Sequence, residues 1–470
     1  MMIQSLVKSL LISASAALCL PVYSEGEKTK PNIILIVVDD LGWKDLGCFG
    51  SKYYETPNID ELSAGGMRFT NAYAASAVCS PTRAAIMTGR YPARIGITDW
   101  IRSEFQGGEI IDGRNPTGYD RMEDLMCPRN RMFLEHSEVT IAELLKPLGY
   151  ATCHVGKWHL GQESWYPETQ GFDYNFGGCD YGQPPSFFDP YKNEQCENIP
   201  TLPPREEGEY LTDREADEAV AFITQHKDQP FFLNLSFYAV HLPIQAKADL
   251  IEKYENKTST TKQRDASYAA MVQSVDEAVG KIVCALETFG LSEETLVIFT
   301  SDNGGLLGPT DNSPLRLGKG DPYEGGIRVP QIISWPGVVK PGSVCNEPVS
   351  SVDFLPTIAA AAHTAIPERA IDGESLLPSL KESGKLQRDS LFWHFPHYRK
   401  GNPPYSIIRS GNWKLLKRYA GKRFELYDLE NDISETHDLS DSMPAKVEEL
   451  DVRLLDWLLQ TNAKVPKPVA

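Results

Sequence analysis

Four apolar runs in this chain end abruptly in residues that can do chemistry, and that arrangement narrows the fold more than any other feature. Asn32–Val38 gives way to Asp39-Asp40, and Phe231–Tyr238 to Ala239-Val240-His241. Leu296–Thr300 precedes Asp302-Asn303-Gly304-Gly305, and the weaker run Tyr150–Val155 precedes Gly156-Lys157-Trp158-His159. Near-continuous apolar runs of this length suit strands buried on both faces. Helical patterns lie between them. The clearest covers Tyr268–Phe289, with apolar residues at 268, 271, 272, 275, 279, 282, 283 and 286 and Gly290 as its stop. Alternating strands and helices predict an α/β fold with a large, mostly parallel sheet, which binds ligands beyond the carboxyl ends of its strands. Unrelated loops would have no reason to carry their polar residues at that one end.

The pattern changes near residue 385. Ser390–Phe395, Tyr405–Arg409, Trp413–Tyr419 and Phe424–Leu429 are short, closely spaced strand patterns, as in an antiparallel sheet. A helix over Ala445–Gln460 follows, with Val447, Leu450, Leu454, Trp457 and Leu458 on one face. The expectation is a signal segment (1–24), a catalytic α/β domain (25–385) and a small α+β domain (386–470). At 470 residues, 41% hydrophobic, the chain has material for both cores. Trp100–Glu135 is charged and rich in Gly and Arg, and reads as a long irregular insertion near the site.

Residues 1–24 have the form of a secretory signal: Lys8, an apolar run Leu10–Leu20, then Val22-Tyr23-Ser24 as a small-residue cleavage site. The run is short for a membrane span, and Leu18 before Cys19 fits a lipoprotein cleavage site poorly. An exported, soluble protein is expected, periplasmic or secreted. Removing that segment, whose one charge is Lys8, takes the formal net charge from −18 to −19. Such a balance argues against non-specific nucleic-acid binding, so an anionic substrate needs a local positive pocket. Of nine cysteines, setting aside Cys19 and Cys79 leaves seven, an odd remainder that does not describe a complete disulfide framework. Asn234-Leu235-Ser236 and Asn256-Lys257-Thr258 match the glycosylation sequon.

Cys79-Ser80-Pro81-Thr82-Arg83 opens a helical pattern: Pro81 suits a first turn, Ala84–Met87 favour helix, and Gly89 can end it. Cys79 then sits at a helix N-terminus, which favours anions, and Arg83 projects from the same face one turn on. Asp39, Asp40, Asp302 and Asn303 offer only oxygen ligands, which suit a hard cation such as Ca²⁺ or Mg²⁺. Alone, Asp39-Asp40 would serve equally well in a turn or helix cap.

The string CSPTRAAIMTGR (79–90) resembles the signature of the type I sulfatases of the alkaline phosphatase superfamily, whose Cys is oxidised to formylglycine. Gly156-Lys157-Trp158-His159-Leu160-Gly161 and Thr300-Ser301-Asp302-Asn303-Gly304 resemble further segments of that family, as does Tyr323–Pro330. The resemblance runs from about Pro31 to Leu429. It implies an alkaline phosphatase-like fold, one Ca²⁺ (or Mg²⁺) per chain bound by Asp39, Asp40, Asp302, Asn303 and the modified Cys79, and a maturation enzyme as partner. Lys157 and Lys319 would contact sulfate oxygens, Arg83 would hold the formylglycine hydrate, and Asp302 would help deprotonate it. His241 would protonate the leaving alcohol, and His159 would take the second hydroxyl's proton. His394 and His397, in Trp393–His397, are candidates for contacting a sugar; a structural role is the alternative. The leading expectation is an exported hydrolase acting on a sulfated glycan. Two alternatives stand beside it: a phosphonate monoester or phosphodiester hydrolase of the same superfamily, and a catalytically silent binder of sulfated glycans.

Overall fold

In the computed structural model, which describes residues 30–103, 106–108, 110 and 112–469, the apolar runs become the middle of an eight-stranded sheet. In chain order its strands are β1 (Asn32–Val38), β2 (Met67–Phe69), β3 (Ala151–Gly156), β4 (Tyr174–Phe176), β5 (Phe231–Phe237), β6 (Thr295–Ser301), β7 (Gln331–Ser334) and β8 (Ser343–Cys345). The spatial order is β8-β2-β7-β6-β1-β5-β3-β4, and β7 alone runs against its neighbours. The sheet is therefore mixed but mostly parallel, as the sequence predicted. β1 lies between β6 and β5 and is buried along its whole length.

Side chains alternate across a strand, so β1 feeds two cores. Ile34, Ile36 and Val38 join one core with helices α2 (Leu211–His226) and α3 (Ala266–Thr288). Ile33, Leu35 and Val37 join the other with α1 (Cys79–Thr88) and α4 (Phe354–Ala361). All ten residues of α1 are buried, and Gly89 closes it at φ 67°, a conformation in which a side chain would be strained.

The C-terminal strands β9 (Ser390–Phe395), β10 (Tyr405–Ser410), β11 (Trp413–Arg418) and β12 (Phe424–Asp428) form an antiparallel sheet in sequential order. One face packs on α5 (Pro444–Gln460) through Ile408, Leu415, Leu426, Leu450 and Leu454. The other face, with Trp393, Phe395, Ile407 and Leu416, packs on Tyr73, Ala77, Val78, Tyr323 and Ile327. The smaller sheet thus rests on the loop that leads into α1.

Two readings of the sequence need correction. The segment 100–135 is not irregular throughout: Tyr119–Met122 and Leu125–Pro128 pair as a hairpin, and Lys467–Pro468 adds a third strand. Its outer strand is mostly exposed, so it carries no apolar alternation to announce it. Asn234 is not a glycosylation site in the folded chain, because it is buried in β5 and donates to Nδ1 of His154 at 2.8 Å. The eight described cysteines are all free thiols. No helix among the described residues is long and apolar enough to cross a membrane. The signal-segment reading and Cys19 fall outside the described residues.

Candidate active site

Strand register brings the polar residues together. Val38 is level with Phe237 and with Ser301, and Gly156 with Ser236, so the residues that follow leave the sheet at one edge. Backbone bonds hold them there: Lys157 N to Ser236 O (2.7 Å) and Asp39 N to Ala239 O (2.9 Å). Asp40 and His159 turn away from the sheet with φ of 62° and 60°, a left-handed conformation that costs a non-glycine residue about 1–3 kcal/mol.

α1 points its N-terminus, with Cys79 first, into the same region. Arg83 is buried; its Nε and Nη2 lie 2.9 and 2.8 Å from Oδ2 of Asp302, and Nη1 donates to the Lys157 carbonyl at 2.7 Å. Lys157 reaches Oδ2 of Asp39 at 2.5 Å, with both side chains wholly buried. Lys319 comes from a loop tied down by Lys319 N to Gly305 O (3.1 Å) and Gly320 N to Ala77 O (2.8 Å). Its Nζ lies 2.6 and 2.9 Å from the two oxygens of Asp40. Asn303 Nδ2 donates to Asp40 Oδ1 at 2.8 Å, and His241 Nε2 stands 3.6 Å from Asp40 Oδ2.

Three acidic and three basic side chains therefore interlock in a buried space. Burial pushes Asp39 well up, with Asp302 adding repulsion. Burial also pushes Asp40 up, but Lys319, His241 and Lys157 outweigh it and hold the carboxyl below the ordinary range. For Asp302, Arg83 and Lys157 likewise outweigh burial. His159 is kept neutral by burial and by the nearby Lys157. Its Nε2 lies 2.6 Å from the Ile101 carbonyl, which can only accept, so Nε2 carries the proton. Nδ1 is then a buried lone pair with no partner, placed to take a proton. His241 has the same kind of constraint: Nδ1 faces the Leu242 carbonyl at 3.1 Å, which leaves Nε2 to exchange a proton on the Asp40 side.

The donor set suits a cation. Asp39, Asp40 and His241 place ligand atoms within 4.8 Å of one another. Oδ1 of Asp39 and Oδ1 of Asn303 are buried without a hydrogen-bond partner, a costly state that a bound cation would relieve. Crowded carboxylates with unused oxygens are what a hard divalent ion requires.

The profile of the sulfatase family matches residues 31–364, and that of the C-terminal region of N-sulphoglucosamine sulphohydrolase matches 319–464. The chain belongs to the sulfatase family. It is a sulfuric ester hydrolase. A sulfatase of Formosa agariphila is 36% identical, with 92% of this chain and 90% of that protein covered. Human arylsulfatase A is 34% identical over 87% of this chain and 77% of its own. The crystal structure of Ps i-CgsB in complex with k-i-k-neocarrahexaose is similar with a TM-score of 0.77 and 35% identity, covering 92% and 93% of the two chains.

The other residues singled out in the sequence fall in different places in this sulfatase. His394 is buried in β9, and both its ring nitrogens have protein partners: Ser406 Oγ at 2.7 Å and the Lys464 carbonyl at 3.1 Å. His397 pairs through Nε2 with Thr98 at 2.8 Å and lines a cavity beside the 99–130 segment. Sequence reading passed over Glu215. It is fully buried on α2 beside Gly156, accepts from Tyr238 N at 3.2 Å, and is pushed well above the ordinary carboxyl range by burial. The signal was there: Leu211, Glu215 and Ala219 share one helix stripe, so a carboxyl was due to face the core.

Proposed function

We propose that this sulfatase removes sulfate from a sulfated carbohydrate, through a formylglycine hydrate made from Cys79 and one divalent cation, Ca²⁺ in the first place and Mg²⁺ as the other candidate. The observation that carries the reading is the convergence of Arg83, Lys157 and Lys319 with three carboxylates at the N-terminus of α1. Cys79 lies near enough to Arg83 and Lys319 to act on both electrostatically. The similarity to Ps i-CgsB, whose structure holds a neocarrahexaose, supports a sugar as the alcohol partner.

Oxidised and hydrated, Cys79 would supply one hydroxyl to attack sulfur and a second that, on losing its proton, re-forms the carbonyl as the C–O bond to sulfate breaks and sulfate leaves. A divalent ion held by Asp39, Asp40, Asp302, Asn303 and the modified residue 79 would supply Lewis acidity at the sulfuryl oxygens. Arg83, braced by Asp302, orients the attacking group, and Asp302 accepts its proton. Lys157 and Lys319 face the charge that builds on the sulfuryl oxygens. His241 presents Nε2 to the leaving oxygen, and the incoming sulfate monoanion favours its protonated form. A sugar alkoxide leaves poorly, so this proton matters. The Nδ1 lone pair of His159 takes the proton of the second hydroxyl as sulfate departs. The protein is exported by residues 1–24 and needs a formylglycine-generating enzyme as a partner.

The test measures sulfate and phosphate release from sulfated oligosaccharides and phosphoesters, with wild type and Cys79→Ala both made alongside a maturation enzyme and Ca²⁺. Sulfate release that disappears in the variant is the expected result. Phosphate release alone, or no release from protein shown by mass spectrometry to carry formylglycine at position 79, overturns the reading.

A further inference from the structure

Packed on His159 is the loop 177–182, which follows β4 and meets the histidine at two points. The Cys179 carbonyl accepts from His159 N at 2.9 Å. Gly182 lies against the ring: a Cβ built on it would stand 2.8 and 2.9 Å from Cε1 and Nε2 of His159. Gly182 does not have the left-handed backbone that calls for glycine, so what it supplies is room for the imidazole. These contacts matter because His159 sits at φ 60°, a conformation that persists only where the surroundings impose it. The Ile101 carbonyl fixes the ring at Nε2, and the loop fixes the backbone and fills the space beside the ring.

The loop is held in turn by Tyr238, the residue after β5. Tyr238 is wholly buried; its hydroxyl donates to the Gly177 carbonyl at 3.0 Å and lies 3.5 Å from Cys179 Sγ. Asn175 grips the residue between, with Nδ2 and Oδ1 each 2.9 Å from the carbonyl and amide of Gly178. The main chain of Tyr238 is fastened on both sides. Its N donates to Glu215 Oε1 at 3.2 Å, and its carbonyl accepts from His241 N at 3.1 Å. A buried phenol hydroxyl and a buried backbone carbonyl each need a partner, so the bond from Tyr238 to Gly177 is kept in the folded chain. The side chain of one residue thus braces the loop under His159, while its main chain braces His241.

We propose that Tyr238 is a positioning residue for the release of sulfate: through the 177–182 loop its hydroxyl holds His159 where Nδ1 meets the second hydroxyl of residue 79. The proposal rests on the formylglycine reading above and deepens it. In that step the free hydroxyl of the sulfated residue gives its proton to Nδ1, and the O–H electron pair forms the C=O bond. The C–O bond to sulfate breaks, and its electron pair leaves on sulfate. Misplacing a reacting group by about 1 Å costs on the order of a hundredfold in rate. His241 is bonded to the Tyr238 main chain and not to its hydroxyl, so the earlier step, which expels the alcohol, does not depend on that hydroxyl.

Tyr238→Phe deletes the hydroxyl and keeps both main-chain bonds. The test follows 4-nitrocatechol sulfate by stopped flow, in proteins matched for formylglycine content. The variant is expected to release a burst of about one nitrocatechol per formylglycine at the wild-type rate, the mark of a covalent intermediate that accumulates. Turnover after the burst is expected to be at least tenfold slower than wild type, with sulfate found on residue 79 by mass spectrometry. Gly182→Ala, which crowds the ring of His159 from the loop side, is expected to give the same burst and adduct. Equal slowing of both phases in Tyr238→Phe, or turnover within twofold of wild type, makes the hydroxyl structural only and overturns the proposal. Should Tyr238→Phe lose its fold, turnover within twofold of wild type in Gly182→Ala overturns it instead. His159→Ala separates this from a failure of the mechanism. A sulfate adduct in His159→Ala and none in Tyr238→Phe overturns the positioning alone; no adduct in His159→Ala removes the release mechanism and the proposal with it.

Discussion

Removing any one of the three cations of the site leaves a carboxylate buried without its partner. Lys319→Ala strips Asp40 of its closest cation and takes a fixed positive charge from the site. Loss of one preorganised donor of this kind lowers kcat by about 10²–10³-fold, and that range is expected in steady-state turnover of an aryl sulfate. The divalent ion makes a prediction of its own. Asp39 is destabilised by burial and by Asp302, so a cation that binds only the folded state should raise the melting temperature. Adding Ca²⁺ to chelator-treated protein is expected to raise Tm, and Asp302→Asn to shrink the shift; calorimetry with and without Ca²⁺ reads both. His394→Ala is expected to leave KM unchanged and lower stability by about 1–3 kcal/mol, because it removes a buried ring that bonds the Lys464 carbonyl and Ser406 Oγ, of which Ser406 keeps only Tyr419 at 2.9 Å. A raised KM for a glycan in that variant would place His394 at the substrate instead.

Between elements, the turn after the Lys319 loop does the fastening. Gly304 N bonds Gly326 O at 3.0 Å, and a Cβ on Gly304 would sit 1.8 Å from the Gly325 carbonyl. Gly304→Ala is therefore expected to push this turn away from Asn303 and Lys319, lowering Tm and activity together. Glu324, in the same turn, holds Tyr73 at 2.6 Å and Lys414 of β11 at 3.1 Å, and Lys414 also pairs with Glu435 at 2.7 Å. Burial pushes Glu435 up to about 7; Lys414 opposes the rise and Glu324 adds to it. Its folded-state value lies above the ordinary 4.5, so the folded protein holds this proton more tightly than the unfolded chain. That contribution is complete below pH 4.5 and is lost as pH rises through 7. Glu435→Gln should flatten the fall in stability over that window, by at most ~3 kcal/mol at 1.36 kcal/mol per unit. Denaturant unfolding at pH 5 and pH 8 measures it, and parallel pH profiles for variant and wild type would refute it.

At the scale of the whole molecule, the C-terminal sheet is part of the wall of the enzyme. Trp393 donates from its indole to the Ala74 carbonyl at 2.8 Å, and the face around it covers Ala77 and Val78, just before Cys79. Residues 25–385 produced alone would expose this apolar surface beside Cys79. Insoluble or loosely packed protein is expected, read by gel filtration and near-ultraviolet circular dichroism; a soluble, active fragment would show the two parts to be independent.

The strands β1, β5 and β6, the helix opening at Cys79 and the antiparallel C-terminal sheet were legible because each depends on local pattern: a continuous apolar run, a Pro near the start and a Gly at the end, or regular short strands. The polar residues beyond those strands were legible as a group for the same reason, since parallel strands share an end. Other features depend on contacts between residues far apart in the chain. Which cation meets which carboxylate, Lys157 with Asp39 and Lys319 with Asp40, follows from strand order and loop closure. So does the tautomer of His159, set by a carbonyl 58 residues away. Local pattern decides which elements form and what chemistry they carry; only close packing decides which of those groups face one another, because burial and distance set their charge.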